Sequence, residues 1–316
     1  MDELKIIEII KNILKYNNKN TIKGIGDDCA IINFNNKYLA LTTDTICRKT
    51  HIPDILTPYQ IGVRVLTANI SDLVSCGAKP LYFLLSIVLS KYEANEDFIK
   101  ELYKGLYEYS EIYKCPIIGG DTVKGYELVL SGFALGECIK PLYRCGNAKD
   151  KLVVTNNIGR VYCALYLYYR YKRGKISKNE LEKYEEKYKE IFKKLRYPRA
   201  KIEFLKIVEF VRGACDISDG LAKELKYFKS FYIYSDKLYK LIPEDVLEFC
   251  EEFNLNPIKV ALNSGEEFEI LFTTNKLTTI KRKLKEMKFI EIGEIIENGQ
   301  FIDGEHFNEE GYIYHW

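Results

Sequence analysis

The chain has 316 residues, 47% hydrophobic and 29% charged, with 47 lysines and arginines against 45 aspartates and glutamates. A net charge of +2 excludes the strongly basic balance of a nucleic-acid binder, and the length exceeds what one core usually organises, so two domains are expected. Nine cysteines without a CxxC pair or regular spacing point to free thiols in a reducing, cytoplasmic compartment rather than to a disulfide framework.

The opening "MDELKIIEIIKNILKY" predicts an amphipathic helix over residues 2–16, with Ile6, Ile9, Ile10, Ile13 and Leu14 on one face. It lacks the charged-then-apolar order of a signal peptide. "CAIINF" and "YLALTTD", joined by "NNK", read as a strand hairpin. A helix follows, started by Thr57 as N-cap with Pro58 in its first position and ended by Gly77. "PLYFLLSIVLS" is a strand, too short to span a bilayer, and "NEDFIKELYKGLYEYSEIYK" a long helix. "CPIIGGDT" and "YELVLSGFALGEC" are strands beside a glycine turn.

The polar segment from Ile139 to Lys151 breaks this pattern, which places the boundary between domains of residues 1–138 and 139–316. The second half opens with strand "KLVVT" and helix "GRVYCALYLYYRY". Helices rich in lysine follow, as in "YYRYKRGKISK" and "EKYKEIFKKLR", where Glu and Tyr at helical spacing favour a solvated face over an RNA-binding patch. Then come strand-turn-helix "GACDISDGLAKEL", strand "EEFEILFTT", helix "NKLTTIKRKLKEM" and strand "FIEIGEII". Strands and helices are interspersed irregularly, so a mixed α+β fold is expected rather than a doubly wound parallel sheet.

Acids recur at the ends of these elements. Asp27 and Asp28 follow the Gly-x-Gly of "GIGDDC", Asp44 follows Thr42 and Thr43, and Asp121 follows two glycines. Asp72 sits in an apolar helix, while Asp216 and Asp219 bracket a strand-to-helix turn. Each has an ordinary alternative: turn residues, a helix N-cap for Asp219, a solvent-facing position for Asp72. Their shared setting beside glycines and hydroxyls points instead to ligand positions. Gathered carboxylates need neutralising, and oxygen-only ligands suit several Mg²⁺ ions with a polyphosphate. The P-loop, dinucleotide and protein-kinase signatures are all absent, so ATP would bind through another architecture.

"GIGDDCA", "TTDT…H", "ANISDLVSCGAKP", "IIGGDT", "DISDGL" and "SGEEFEILF", in this order, resemble the thiamine-monophosphate kinase family. That family is grouped with aminoimidazole ribonucleotide synthetase, selenophosphate synthetase and a hydrogenase-maturation dehydratase. The resemblance runs from about Gly24 onward, with the lysine-rich helices after Lys172 and the tail matching least. It implies Mg²⁺-dependent transfer of the γ-phosphoryl group of ATP to thiamine monophosphate, on a two-domain α+β fold whose N-terminal halves pair in a homodimer. By motif, it assigns Asp28, Thr42, Thr43, Asp44, Asp72, Asp121, Asp216 and Asp219 to metal ions, with Asp27 beside them. It assigns Gly120, Asp121, Arg144 and Ser218 to ATP, and His51, Glu266 and a tail aromatic to the acceptor. Anchoring the tail on its glycine selects Tyr312, and anchoring it on the chain end selects Trp316. Glu267 and Phe268 stand where the family usually has Asp and Tyr. The readings kept beside this one are another ATP-dependent enzyme of the same superfamily and a Mg-nucleotide-binding protein without turnover.

Overall fold

The computed structural model describes residues 2–14 and 19–312. Helix α1 (Glu3–Ile13) is capped by Asp2, whose carboxylate accepts from the Lys5 backbone N–H. Strands β1 (Thr21–Lys23), β2 (Ala30–Phe34) and β3 (Lys37–Cys47) follow. The β2–β3 hairpin closes on Asn35 and Asn36, at φ 51° and 62°. Two successive positive φ angles are what a two-residue type I′ turn requires, and Asn tolerates them. A short helix α2 (Arg48–His51) leads to α3 (Pro58–Ser75), which starts with a Thr57–Gln60 capping box.

Strand β4 (Ala78–Leu89), helix α4 (Glu96–Tyr113), β5 (Ile117–Lys124) and β6 (Val129–Cys138) complete a six-stranded sheet of order β1-β2-β3-β6-β4-β5. Only β4 and β5 run parallel in it, joined by the α4 crossover. Helices α3 and α4 cross so closely that a Cβ on Gly62 would meet the Leu102 carbonyl oxygen at 2.3 Å. From Gln60 to Ser75 every residue of α3 is buried except Asp72. The other face of the sheet has no cover among the described residues: Tyr82, Leu84 and Phe133 are exposed there.

The second half supplies β7 (Lys151–Thr155), α5 (Arg160–Lys172), α6 (Lys178–Lys187) and α7 (Lys189–Arg196). A 3-10 helix (Ile202–Phe210) precedes β8 (Gly213–Asp216), α8 (Leu221–Lys226), β9 (Phe231–Ile233) and α9 (Ser235–Tyr239). Then come α10 (Glu244–Phe253), α11 (Pro257–Leu262), β10 (Ile270–Thr274), α12 (Leu277–Lys283), β11 (Phe289–Ile295), β12 (Gln300–Ile302) and β13 (Glu305–His306). They form a seven-stranded sheet of order β13-β12-β9-β11-β7-β10-β8. Its central strands β7 and β10 are buried on both faces, and each carries three successive apolar residues, at 152–154 and 270–272.

Three local expectations change. The strand read from "EEFEILFTT" begins only at Ile270, because Glu266 and Phe268 adopt left-handed φ of 54° and 48°. The apolar stripe of α1 buries nothing fully, and Ile13 is 72% exposed. The lysine-rich helices present the expected solvated face, but not every lysine lies on it. Lys194 of α7 reaches the buried Glu269 at 2.8 Å, and Lys201 joins it at the same distance. This ion cluster ties α7 and the following segment to the root of β10. No helix among the described residues is long and apolar enough to cross a membrane.

Candidate active site

A cleft of ≈ 1050 Å³ opens between the segments carrying the sequence motifs. The loop before β2 contributes Asp27 and Asp28, and strand β3 contributes Thr42, Thr43 and Asp44. Helix α3 offers Asp72, one face of which opens to the cleft because residues four apart align along a helix. The turn after β8 supplies Ser218 and Asp219.

Oxygen atoms of Asp28, Asp72 and Asp216 lie within 4.8 Å of one another, drawn from a loop, a helix and a strand. Hydroxyls hold them in place. Thr42 donates to Asp72 at 2.6 Å, Ser75 to Asp28 at 2.8 Å, and Ser71 to Asp216 at 2.7 Å. Burial pushes all three carboxyls up, and the neighbouring acids add to it. Asp44 is pushed up to about 6 by burial, then by Asp219 and Asp28. Oδ1 of Asp216 is buried without a hydrogen bond, while Oδ2 of Asp27 pairs with Lys23 at 3.2 Å. A site with oxygen ligands, raised carboxyls and an orphaned buried oxygen on Asp216 fits hard divalent cations.

Arg144 is the counter-charge of Asp28, and Lys23 that of Asp27 at 3.2 Å. The Arg144 guanidinium pairs with Asp28, lies 3.7 Å from Asp27 and 3.8 Å from the buried Glu224, and stacks 3.8 Å from the Tyr227 ring centroid. Lys223 holds Asp219 at 2.7 Å and reaches Glu3 of α1 at 3.1 Å, so α1 closes one side of the cleft.

His51 and Glu266 also line the cleft. His51 Nδ1 is 2.7 Å from the Thr50 hydroxyl and accepts from the Cys47 N–H at 3.3 Å. Burial, then the charge of Arg64, lowers its pKa. Glu266 pairs with Arg64 of α3. Tyr312 lines the cleft, its N–H donating to the Asp219 carbonyl at 3.1 Å. Trp316 lies outside the described residues.

Gly120 and Asp121 stand apart. They lie exposed on β5, the edge strand, and do not line this cleft. Asp121 pairs with Ser86, Ser86 with Ser131, and Ser131 with Thr45, so Asp121 belongs to the open face of the sheet. Three strand spacings separate it from β3, about 14 Å.

Several contributors escaped the sequence reading. Arg64 carries the signal that singled out Asp72, an ionic residue in an apolar helix, and it was available in "IGVRVL". Ser71 and Ser75 flank Asp72 at neighbouring helical positions. Glu224 had no signal, since "LAKEL" reads as an ordinary amphipathic turn. Glu267 proves to be structural: it accepts from the N–H groups of Gly159 and Val161, at 2.7 and 3.2 Å, and from the Ser264 hydroxyl at 2.6 Å, capping α5. The unusual residue beside Glu266 therefore points away from the cleft.

The family model for AIR synthase related protein, N-terminal domain, matches residues 26–138. A thiamine-monophosphate kinase of Methanocaldococcus jannaschii is 60% identical, over 100% of both chains. That of Pyrococcus abyssi is 35% identical over 84% of this chain and 81% of its own. The structure of AaThiL complexed with AMPPCP and TMP superposes with a TM-score of 0.84 at 26% identity, covering 99% of this chain and 97% of that one. The hydrogenase maturation protein in the HypE–HypF complex, 16% identical with a TM-score of 0.70 over 94% and 95%, shares the fold. The chain belongs to the thiamine-monophosphate kinase family.

Proposed function

We propose that this protein transfers the γ-phosphoryl group of ATP to thiamine monophosphate, giving thiamine diphosphate, with several Mg²⁺ ions as cofactors. The observation that carries the proposal is the convergence of Asp28, Asp72 and Asp216 within 4.8 Å, with a buried Asp216 oxygen left without a partner. Asp27, Thr42, Thr43, Asp44 and Asp219 extend this oxygen set along the cleft. Arg144, Ser218, His51, Glu266 and Tyr312 line the same cleft; in this reading Arg144 and Ser218 would meet the triphosphate, and His51, Glu266 and Tyr312 the acceptor's ring.

The chemistry suits such a site. The acceptor is a phosphate whose second pKa is ~6, so it is already a dianion at neutral pH and no general base is needed. The barrier is repulsion between two anions, and bound Mg²⁺ would supply the charge neutralisation that lowers it. The protein's part is positioning. Its aspartates fix where the phosphates meet, and Arg144 balances those carboxylates before substrate arrives. His51, kept neutral by burial and by Arg64, is suited to accepting or donating a hydrogen bond rather than a charge.

We place the domain division between Cys138 and Lys151, where the first sheet ends and the second begins. We further propose a homodimer in which the open faces of two first sheets pair, covering Tyr82, Leu84 and Phe133. In that assembly Gly120 and Asp121 serve the nucleotide site of the partner. All nine cysteines are free thiols, which suits a cytoplasmic enzyme.

The test is incubation with Mg-ATP and thiamine monophosphate, with free thiamine as control, and thiamine diphosphate measured as its fluorescent thiochrome derivative. Product from the monophosphate alone is expected. ATP binding without product would overturn the reading in favour of a sister enzyme or a nucleotide-binding protein without turnover.

A further inference from the structure

Helix α3 presents a second ionic group to the cleft, one that the phosphate chemistry does not use. Arg64, Ala68 and Asp72 recur at intervals of four and line the same cavity. At 1.5 Å rise per residue Arg64 and Asp72 stand about 12 Å apart along the axis. Asp72 marks the carboxylate cluster, so Arg64 marks the opposite end, where Glu266 and His51 lie. An acceptor with a phosphate at one end and an aromatic ring at the other would lie along this stripe.

Arg64 is 3% exposed and pairs with Glu266, whose side chain is 26% exposed to the cleft. The backbone under Glu266 is pinned as well. Its φ is 54°, its N–H donates to the Ser218 carbonyl at 2.7 Å, and a Cβ on Gly265 would meet that same carbonyl oxygen at 2.7 Å. Glu266 is thus aimed by its turn and held by its ion pair. A buried guanidinium at this end would oppose the positively charged thiazolium of the acceptor. Pairing with Glu266 removes that net charge and leaves the outer face of the carboxylate to accept from the amino group of the acceptor's pyrimidine ring.

We propose that Arg64 is a positioning and specificity-determining residue for the acceptor, fixing the Glu266 carboxylate at the ring-binding end of the cleft. The proposal rests on the kinase reading above. It separates two tasks: the aspartates handle the phosphates, and the Arg64–Glu266 pair reads the ring.

The test is calorimetric binding of thiamine monophosphate to the Mg²⁺-loaded protein with AMPPCP, together with steady-state kinetics. Arg64→Met should weaken acceptor binding and raise its KM about 10- to 100-fold, as loss of a charge-assisted hydrogen bond does. The KM for ATP should stay unchanged and kcat within about threefold. Arg64→Lys should fall between, and combining Arg64→Met with Glu266→Gln should weaken binding no further than the worse single change. Where Arg64→Met does not fold, Arg64→Lys carries the comparison. Unchanged acceptor binding in a folded variant, an equal rise in KM for both substrates, or additive effects would overturn the proposal. Failure of the unaltered protein to bind thiamine monophosphate would instead overturn the kinase reading beneath it.

Discussion

Asp44 shows what crowding does to a single carboxyl. Its pKa is pushed up to about 6 by burial and by Asp219 and Asp28, against ~3.9 in an unfolded chain. A raised carboxyl binds its proton more tightly in the folded state, so its contribution is favourable at low pH and is lost as pH climbs through about 6. Two units correspond to about 3 kcal/mol. The cation-free protein should therefore melt at a higher temperature at pH 5 than at pH 7, and Mg²⁺ should narrow the gap by stabilising the pH 7 form. Asp44→Asn should flatten the pH dependence. Thermal melts with EDTA or Mg²⁺ decide it, and a cation-free protein more stable at pH 7 would contradict the reading. At this scale the sequence was informative about identity but not about state. It named Asp44 as a ligand position, while the shift depends on Asp219 and Asp28 arriving from distant segments.

Among the elements, α3 does most to organise the cleft. It touches the first sheet through β3 and β6 and the second through β8. Its close approach to α4 depends on two glycines: Gly62 faces the Leu102 carbonyl, and Gly105 faces that of Tyr59, where a Cβ would sit 2.1 Å away. Gly62→Ala should cost about 1–3 kcal/mol by forcing the helices apart, and should raise the KM of both substrates because Arg64 and Asp72 ride on the same helix. A denaturant titration with parallel kinetics tests this. An unchanged midpoint would show that α4 yields easily. The helix itself was legible from Thr57, Pro58 and Gly77, since caps are local chemistry. Its burial on nearly every side was not, because that depends on which elements pack around it.

For the whole molecule, the separation of Asp121 from the cleft decides the arrangement of sites. Asp121 lies on the open face of the first sheet, with Ser86, Ser131 and Thr45 in the same cross-strand row. If it serves the partner's nucleotide site, Asp121→Asn and Asp72→Asn homodimers are each inactive, yet a mixed dimer holds one site with both aspartates intact. Mixing the two after mild dissociation should restore up to about a quarter of the unaltered activity, since about half the dimers are mixed and each has one complete site. No recovery, with subunit exchange verified, would place Asp121 in its own subunit's site, and an active Asp121→Asn homodimer would place it in none.

The sequence by itself determined the elements with local signals, the mixed α+β class and the order of acidic motifs. Caps, hairpin asparagines and glycine-acid turns act within a few residues, so the chain states them directly. It also held the family resemblance, because the motif residues are constrained by what they bind. Only the tertiary structure decided which acids meet. It joined Asp28, Asp72 and Asp216, left Asp121 on an open sheet face, turned Glu267 inward as a helix cap and set Arg64 against Glu266. Those outcomes depend on contacts between residues far apart in the chain, and on burial, which changes a carboxylate's charge as much as its neighbours do.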